Sequence, residues 1–176
     1  MDEKFSQQVK NVINGDEYYT LEKSVRMILP YIEKFRGKKV WCPFDTAESN
    51  FVKILREEGW DVIHSHIDTG ENFFDYDEPL GDIIVSNPPF SKRDKIFEKL
   101  YEWDIPFALI MNFNGLFDSK KRVNRFRDHT VEMLIPRGRM KFIHKDKGLL
   151  NNPNFQSIYV CSHVLNDQIT FDDTEF

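Results

Sequence analysis

Asn87-Pro88-Pro89-Phe90 brings together a side-chain amide, two carbonyls that are each followed by a residue without an N–H, and an aromatic ring. Proline fixes its own φ and biases the residue before it toward extended backbone, so the stretch is stiff. These residue types suit the gripping of an exocyclic amino group. The Asn87 amide oxygen and the Pro88 carbonyl would accept its two hydrogens, while Phe90 stacks on the ring that carries it. The run Asp82-Ile83-Ile84-Val85 stands directly before the tetrapeptide and reads as a buried strand that stops abruptly. The grip is therefore expected at a strand's carboxyl end, where open α/β sheets bind ligands.

The remaining elements have to build that sheet. Leu21, Val25, Ile28, Leu29 and Ile32 have helical spacing, with Thr20 placed as N-cap, and Pro30 predicts a bend or break near Ile28 or Leu29. Residues 38–43 read as a strand, followed by a helix capped by Ser49 or Asn50, with Phe51, Ile54 and Leu55 inward and Gly59 closing it. Further strands are expected at 60–67, 82–86, 106–111 and 131–135, and helices at 95–103 and 118–128. An extended piece is expected at 139–143, a polar loop at 145–154 and a long final strand at 155–165. Strands alternating with helices at this spacing predict βαβ units, hence an α/β fold with a mostly parallel sheet covered on both faces. The reading gives an arm at 1–17, a domain at 18–165 and a frayed acidic tail at 166–176.

At 176 residues and 40% hydrophobic, the chain suffices for one self-supporting domain. No apolar run has the length of a membrane span, and the first residues lack the apolar core of a signal peptide, so a soluble, cytoplasmic protein without a membrane partner is expected. Cys42 and Cys161 lie in apolar runs and read as buried thiols, and the five histidines have no metal-ligand spacing, so no metal is expected. The formal charge is −5, yet residues 119–147 hold ten Lys/Arg against three acids, leaving +7 there and −12 elsewhere. This segment reads either as a phosphate-tracking face or as an ordinary solvated helix and loop.

With the strand and Asn87-Pro88-Pro89-Phe90 in place, residues 18–165 resemble the S-adenosylmethionine-dependent amino-methyltransferases. They are most similar to the N6-adenine DNA methyltransferases of phages and restriction systems, and among these to the EcoRI-methylase type. The resemblance implies a Rossmann-like methyltransferase fold with an antiparallel last strand. It implies methyl transfer to the N6 of adenine in DNA, with Asn87, Pro88, Pro89 and Phe90 holding the target. The base would be flipped or single-stranded.

The resemblance also implies a cofactor site. Tyr19 and Thr20 look like the segment that meets the methionine end. Cys42-Pro43-Phe44-Asp45 stands where the family has an acidic residue, Pro-Phe and two glycines; Pro-Phe is kept and no glycine is present, so a differently shaped loop is expected. Asp45 would face the ammonium, and Ser49 with the helix-start amides the carboxylate. Asp68 would meet the ribose, Asn72 the adenine amino group, and Phe73 would stack on the adenine, with at least one of Phe73 and Phe74 in the core. Lys92, Arg93, Lys120, Lys121, Arg122, Arg125, Arg137, Arg139 and Lys141 would contact phosphates, giving affinity without sequence choice. About ten residues follow the last expected strand, so sequence choice is low, comes from the 145–154 loop, or comes from a homodimer or separate specificity partner. The same tetrapeptide occurs in families that modify RNA bases or protein glutamine, and a catalytically idle Rossmann-like binding module remains a third reading.

Overall fold

A computed structural model of the chain describes residues 18–144, 148–150 and 155–176. The 1–17 arm and most of the 145–154 loop lie outside the described residues. The described elements run β1 (Tyr18–Thr20), α1 (Glu22–Ile32), β2 (Lys39–Cys42), α2 (Asn50–Glu57), β3 (Asp61–His64), β4 (Ile83–Ser86), α3 (Arg93–Glu102) and β5 (Phe107–Asn112). They continue with α4 (Lys120–Asp128), β6 (Glu132–Arg137), β7 (Phe142–His144), β8 (Gly148–Leu150), β9 (Ser157–Ser162) and β10 (Ile169–Glu175).

Seven strands form one sheet in the order β10-β6-β9-β5-β4-β2-β3, in which β9 alone runs antiparallel to its neighbours. Strand alternation sorts the side chains onto two faces. Val40, Cys42, Ile83, Val85, Ala108 and Ile110 pack with Val25 and Ile28 of α1 and Phe51 and Leu55 of α2. Trp41, Ile84, Phe107 and Leu109 pack on the other face with Ile96, Phe97 and Leu100 of α3 and Phe126 of α4. Strands buried on both faces read as continuous apolar runs, which is why residues 83–85 and 107–111 carry no polar alternation.

Three sequence expectations are corrected. Helix α1 runs through Pro30 without a break and tightens into a 3-10 turn at Glu33–Phe35. An interior proline costs about 3 kcal/mol, and burying side chains such as Val25, Ile28 and Ile32 offsets about 1.5–3 kcal/mol each, so packing decides. Thr20 is not the N-cap; Leu21 holds that position without a side-chain cap, and Thr20 lies on β1. The acidic end is no frayed tail, because β10 pairs in parallel with β6 as the edge strand. The antiparallel β9 expected as the last strand is therefore the penultimate one. Asp172, Asp173 and Glu175 suit an exposed edge, since charge there discourages further strand pairing.

Tyr31 Oη donates to Asp172 Oδ2 at 2.7 Å and ties this edge to α1. Burial, then the Asp172 carboxylate, raises the Tyr31 phenol to about 12. A raised folded-state value contributes stability below the unfolded phenol's pKa of about 10 and loses it as pH rises through the folded one. The stability advantage of the wild type over Tyr31→Phe should therefore be constant from neutral pH to about 10 and shrink between about 10 and 12. Urea titrations across that window check this.

Candidate functional site

From β2 the chain moves outward to β3, then crosses back over β2 to β4. The carboxyl ends of β2 and β4 therefore flank the point where the direction of winding reverses, which is where crevices open in such sheets. Two loops meet there, residues 43–49 after β2 and the Asn87-Pro88-Pro89-Phe90 segment after β4.

Ser86, the last residue of β4, donates its hydroxyl to the Asp45 Oδ2 carboxylate, joining the two loops. Asp45 is only 7% exposed. Asn87 Nδ2 donates to Thr20 Oγ1 at 3.0 Å, and the Thr20 carbonyl accepts from Asn50 Nδ2 at 2.8 Å, so β1 is tied to both the tetrapeptide and the start of α2. With the amino end of its amide held by Thr20, Asn87 has its carbonyl end on the opposite branch of the planar group. Pro88 is buried, Pro89 exposed, and Phe90 half-buried and edge-on to Phe155 at 6.1 Å. Phe155 in turn lies 5.8 Å from Phe142 of β7, giving the tetrapeptide an aromatic wall. That wall rests on a second, three-stranded sheet, β1-β7-β8, in which Tyr19 pairs with Ile143. Only the extended piece near 139–143 was anticipated; β1 and β8 are too short to show a period of two.

The loop after β2 needs no glycine for its conformation. Among the described non-glycine residues only Asp104 and His163 have positive φ, so residues 43–49 turn entirely with ordinary backbone angles. Asp45 N–H donates to the Ser65 carbonyl at 3.2 Å, and Ser65 N–H to the Cys42 carbonyl at 3.1 Å, which extends the β2–β3 pairing into the loops. Ser49 caps α2, its Oγ accepting from Val52 N–H at 3.3 Å.

Other assignments move. Cys42 has its side chain wholly in the core, where burial raises the thiol well above its ordinary value, and its carbonyl accepts from Ser65 N–H. Pro43 is buried beside it, and Phe44 is the half-buried ring at this strand end. Phe73 is corrected as a stacking residue: it is 2% exposed and enclosed by Trp41, Phe44, Phe74 and Trp103, with centroids at 4.8–5.7 Å. Asn72 caps a short 3-10 turn, its Oδ1 accepting from Phe74 N–H at 3.2 Å, so one of its two acceptor positions is occupied. Asp68 lies beyond β3 with its side chain 42% exposed. His66 Nδ1 accepts from the Asp68 N–H at 3.1 Å, so that nitrogen carries no proton to share with the Asp68 carboxylate 3.6 Å away.

The nine basic candidates divide. Arg93 donates to the carbonyls of Asn114 and Gly115 at 3.0 and 3.1 Å. Arg122 donates to the Gly115 carbonyl and to Asp94 Oδ1, and Arg125 lies 3.6 Å from the same carboxylate. Arg122 and Arg125 side chains are 13% and 9% exposed, so these three arginines brace the protein and are corrected as phosphate contacts. Lys92, Lys120, Lys121, Arg137 and Arg139 are exposed and Lys141 half-buried, with Lys121 3.5 Å from Glu98. Among the described residues no three His, Cys, Asp or Glu side chains converge on a metal-sized site, and no described helix is long and apolar enough to cross a membrane.

No family model matches the chain, and no curated protein matches it by sequence. Solved structures do. A modification subunit of a proposed type I restriction enzyme from Vibrio vulnificus superposes with TM-score 0.51 at 12% identity, covering 90% of this chain and 47% of the other. The chain thus spans about half the length of that subunit. A proposed RNA methyltransferase from Pyrococcus horikoshii gives 0.48 at 14% identity, covering 93% and 98%. The chain shares an α/β, Rossmann-like fold with the Vibrio subunit. Such a fold hosts several chemistries, so activity has to be argued from the site.

Proposed function

We propose that this chain transfers a methyl group from S-adenosylmethionine to an exocyclic amino group of a nucleobase, with the N6 of adenine in DNA as the target. The observation that carries the reading is the meeting of Asn87-Pro88-Pro89-Phe90 and Asp45, joined through Ser86, at the reversal point of the sheet. The Vibrio protein's description as a modification subunit is in keeping with it.

The donor set fits the cofactor. Asp45 offers a carboxylate to an ammonium, the Ser49-capped start of α2 suits a carboxylate, and Asp68 beyond β3 suits a ribose diol. Tyr19, on β1 beside the Thr20 that holds Asn87 and Asn50, would meet the methionine end. Phe44, half-buried against Phe73, would cover the adenine in exchange for the buried Phe73. When bound, the cofactor supplies an electrophilic methyl on a sulfonium. The Asn87 Oδ1 and Pro88 carbonyl would accept the two amino hydrogens and leave the nitrogen lone pair directed at that methyl, with Phe90 against the base. Transfer would form the N–C bond as the cofactor's C–S bond breaks, with the surplus nitrogen proton passing to water. Positioning and aligned dipoles supply the acceleration. A base in a duplex cannot reach such a grip without leaving the stack.

Isothermal calorimetry with S-adenosylmethionine tests the cofactor half. Wild type should bind, and Asp45→Asn, which keeps an acceptor for Ser86 but removes the charge, should bind about 10- to 100-fold more weakly. Absence of wild-type binding at millimolar cofactor would leave the idle binding module as the surviving account. Cofactor binding with methylation of an RNA base or a protein amide would move the target and keep the chemistry.

A further inference from the structure

Phe113 and Phe117 are each 41% exposed, although large apolar side chains elsewhere in this domain are mostly buried. They occupy the loop after β5, the neighbour of β4, and their rings meet edge to face at 6.0 Å. Leu109 lies opposite Ser86 in register, so β5 runs three residues past the end of β4 before reaching this loop. The loop is held rigidly. Phe113 N–H donates to the Gln156 carbonyl at 2.7 Å, next to the Phe155 that meets Phe90. Asn114 N–H donates to Asn112 Oδ1 at 2.8 Å, and Arg93, three residues after Phe90, donates to the carbonyls of Asn114 and Gly115. Gly115 has φ +70°, and a Cβ there would meet Arg93 Nη2 at 2.9 Å, so the loop shape depends on glycine. Phe117 is backed by Phe126 at 5.8 Å. Lys92 and Lys120 are exposed on either side of this loop in sequence.

We propose that Phe113 and Phe117 form a stacking platform for the nucleotide next to the target in a single-stranded nucleic acid, with Lys92 and Lys120 meeting its phosphates. An exposed aromatic pair on a loop pinned by Arg93, with exposed lysines next to Arg93 and at the loop's end in sequence, matches the way single strands are held: every base offers a π-face, so stacking is tolerant of sequence, and cations track the backbone. The proposal rests on the site acting on a nucleobase and adds how the strand is presented to it. It also assigns the arginines of this region to a new task. Arg93 and Arg122 fix the platform, leaving phosphate contact to the lysines.

The test is fluorescence-anisotropy binding of short single-stranded DNA and RNA oligonucleotides, together with steady-state methyl transfer, for wild type, Phe113→Ala, Phe117→Ala, Phe113→Trp and Lys92→Gln/Lys120→Gln. The alanine variants should weaken binding about tenfold or more and raise KM for the oligonucleotide, while kcat and cofactor affinity stay unchanged. Phe113→Trp should retain affinity, and the lysine pair should flatten the salt dependence. Oligonucleotide affinity unchanged in both Phe113→Ala and Phe117→Ala, or no single-strand binding by wild type at low salt, overturns the platform. If alanine variants lose affinity while wild type transfers no methyl, the platform stands and the methyltransferase reading fails.

Discussion

If Asn87 grips the target amine as proposed, Asn87→Ala is expected to lower the methyl-transfer rate by about 10²- to 10³-fold or more while leaving cofactor affinity within about twofold, because it would remove a dipole directed at that amine and nothing from the loop after β2. The structure supplies the control. Asn87 Nδ2 also holds Thr20 Oγ1, so loss of activity through a loosened β1 has to be separated from loss of the grip. Thr20→Val removes the same hydrogen bond and keeps the Asn87 carbonyl; its kcat should fall far less. Asn87→Asp keeps oxygen acceptors and allows the Thr20 hydroxyl to donate in place of accepting, so it should retain a measurable fraction of the rate. Single-turnover transfer from labelled cofactor to an adenine-containing strand reads all three. Equal losses in Asn87→Ala and Thr20→Val would make Asn87 a structural tie.

Trp41→Ala should destabilise the fold by about 3–5 kcal/mol, a large part of the roughly 5–15 kcal/mol that a domain of this kind possesses. Trp41 is fully buried in β2 and contacts Phe73, Tyr76 and Trp103 with centroids at 5.2–5.9 Å. Its indole N–H donates to Ser65 Oγ at 3.0 Å, and Ser65 holds Asp45 and Cys42 through its backbone. The same side chain thus supports the core and sets the spacing of the loops bearing Asp45 and Asp68. Trp41→Phe keeps most of the ring volume and drops the hydrogen bond, leaving a buried hydroxyl without its donor, at about 1–3 kcal/mol. Urea denaturation monitored by circular dichroism should show the two midpoints falling in that order with nearly constant slope. Trp41→Phe should also raise KM for the cofactor, which a purely core role would not do.

The central strands were legible because burial on both faces leaves unbroken apolar runs: residues 83–85 and 107–111 announced β4 and β5. The tetrapeptide was legible because two prolines after such a run permit little besides an abrupt, stiff exit. Elements whose partners are distant in sequence were not. In β10, Ile-Thr-Phe-Asp-Asp-Thr-Glu reads locally as a charged tail, and only pairing with β6 gives it a reason to be extended. Arg93, Arg122 and Arg125 looked like free cations because charge is visible in a sequence and the carbonyls of Asn114 and Gly115 that claim two of them are not. The loop after β2 turns without positive φ, and the contacts that hold it, from Asp45 to Ser65 and Ser86, join residues about twenty and forty positions apart and so leave no local signal. Phe113 and Phe117 carried a local signal in aromatics set among Asn112, Asn114 and Gly115, since such a loop has no core to bury them.

Incubation of the wild-type chain with methyl-labelled S-adenosylmethionine and single-stranded DNA, followed by digestion to nucleosides and mass spectrometry, tests the proposed transfer most directly. Label should appear as N6-methyladenine in wild type and be lost in Asn87→Ala. Label on another atom of a base, or none in DNA at saturating cofactor, would contradict the assignment of the Asn87-Pro88-Pro89-Phe90 grip to adenine.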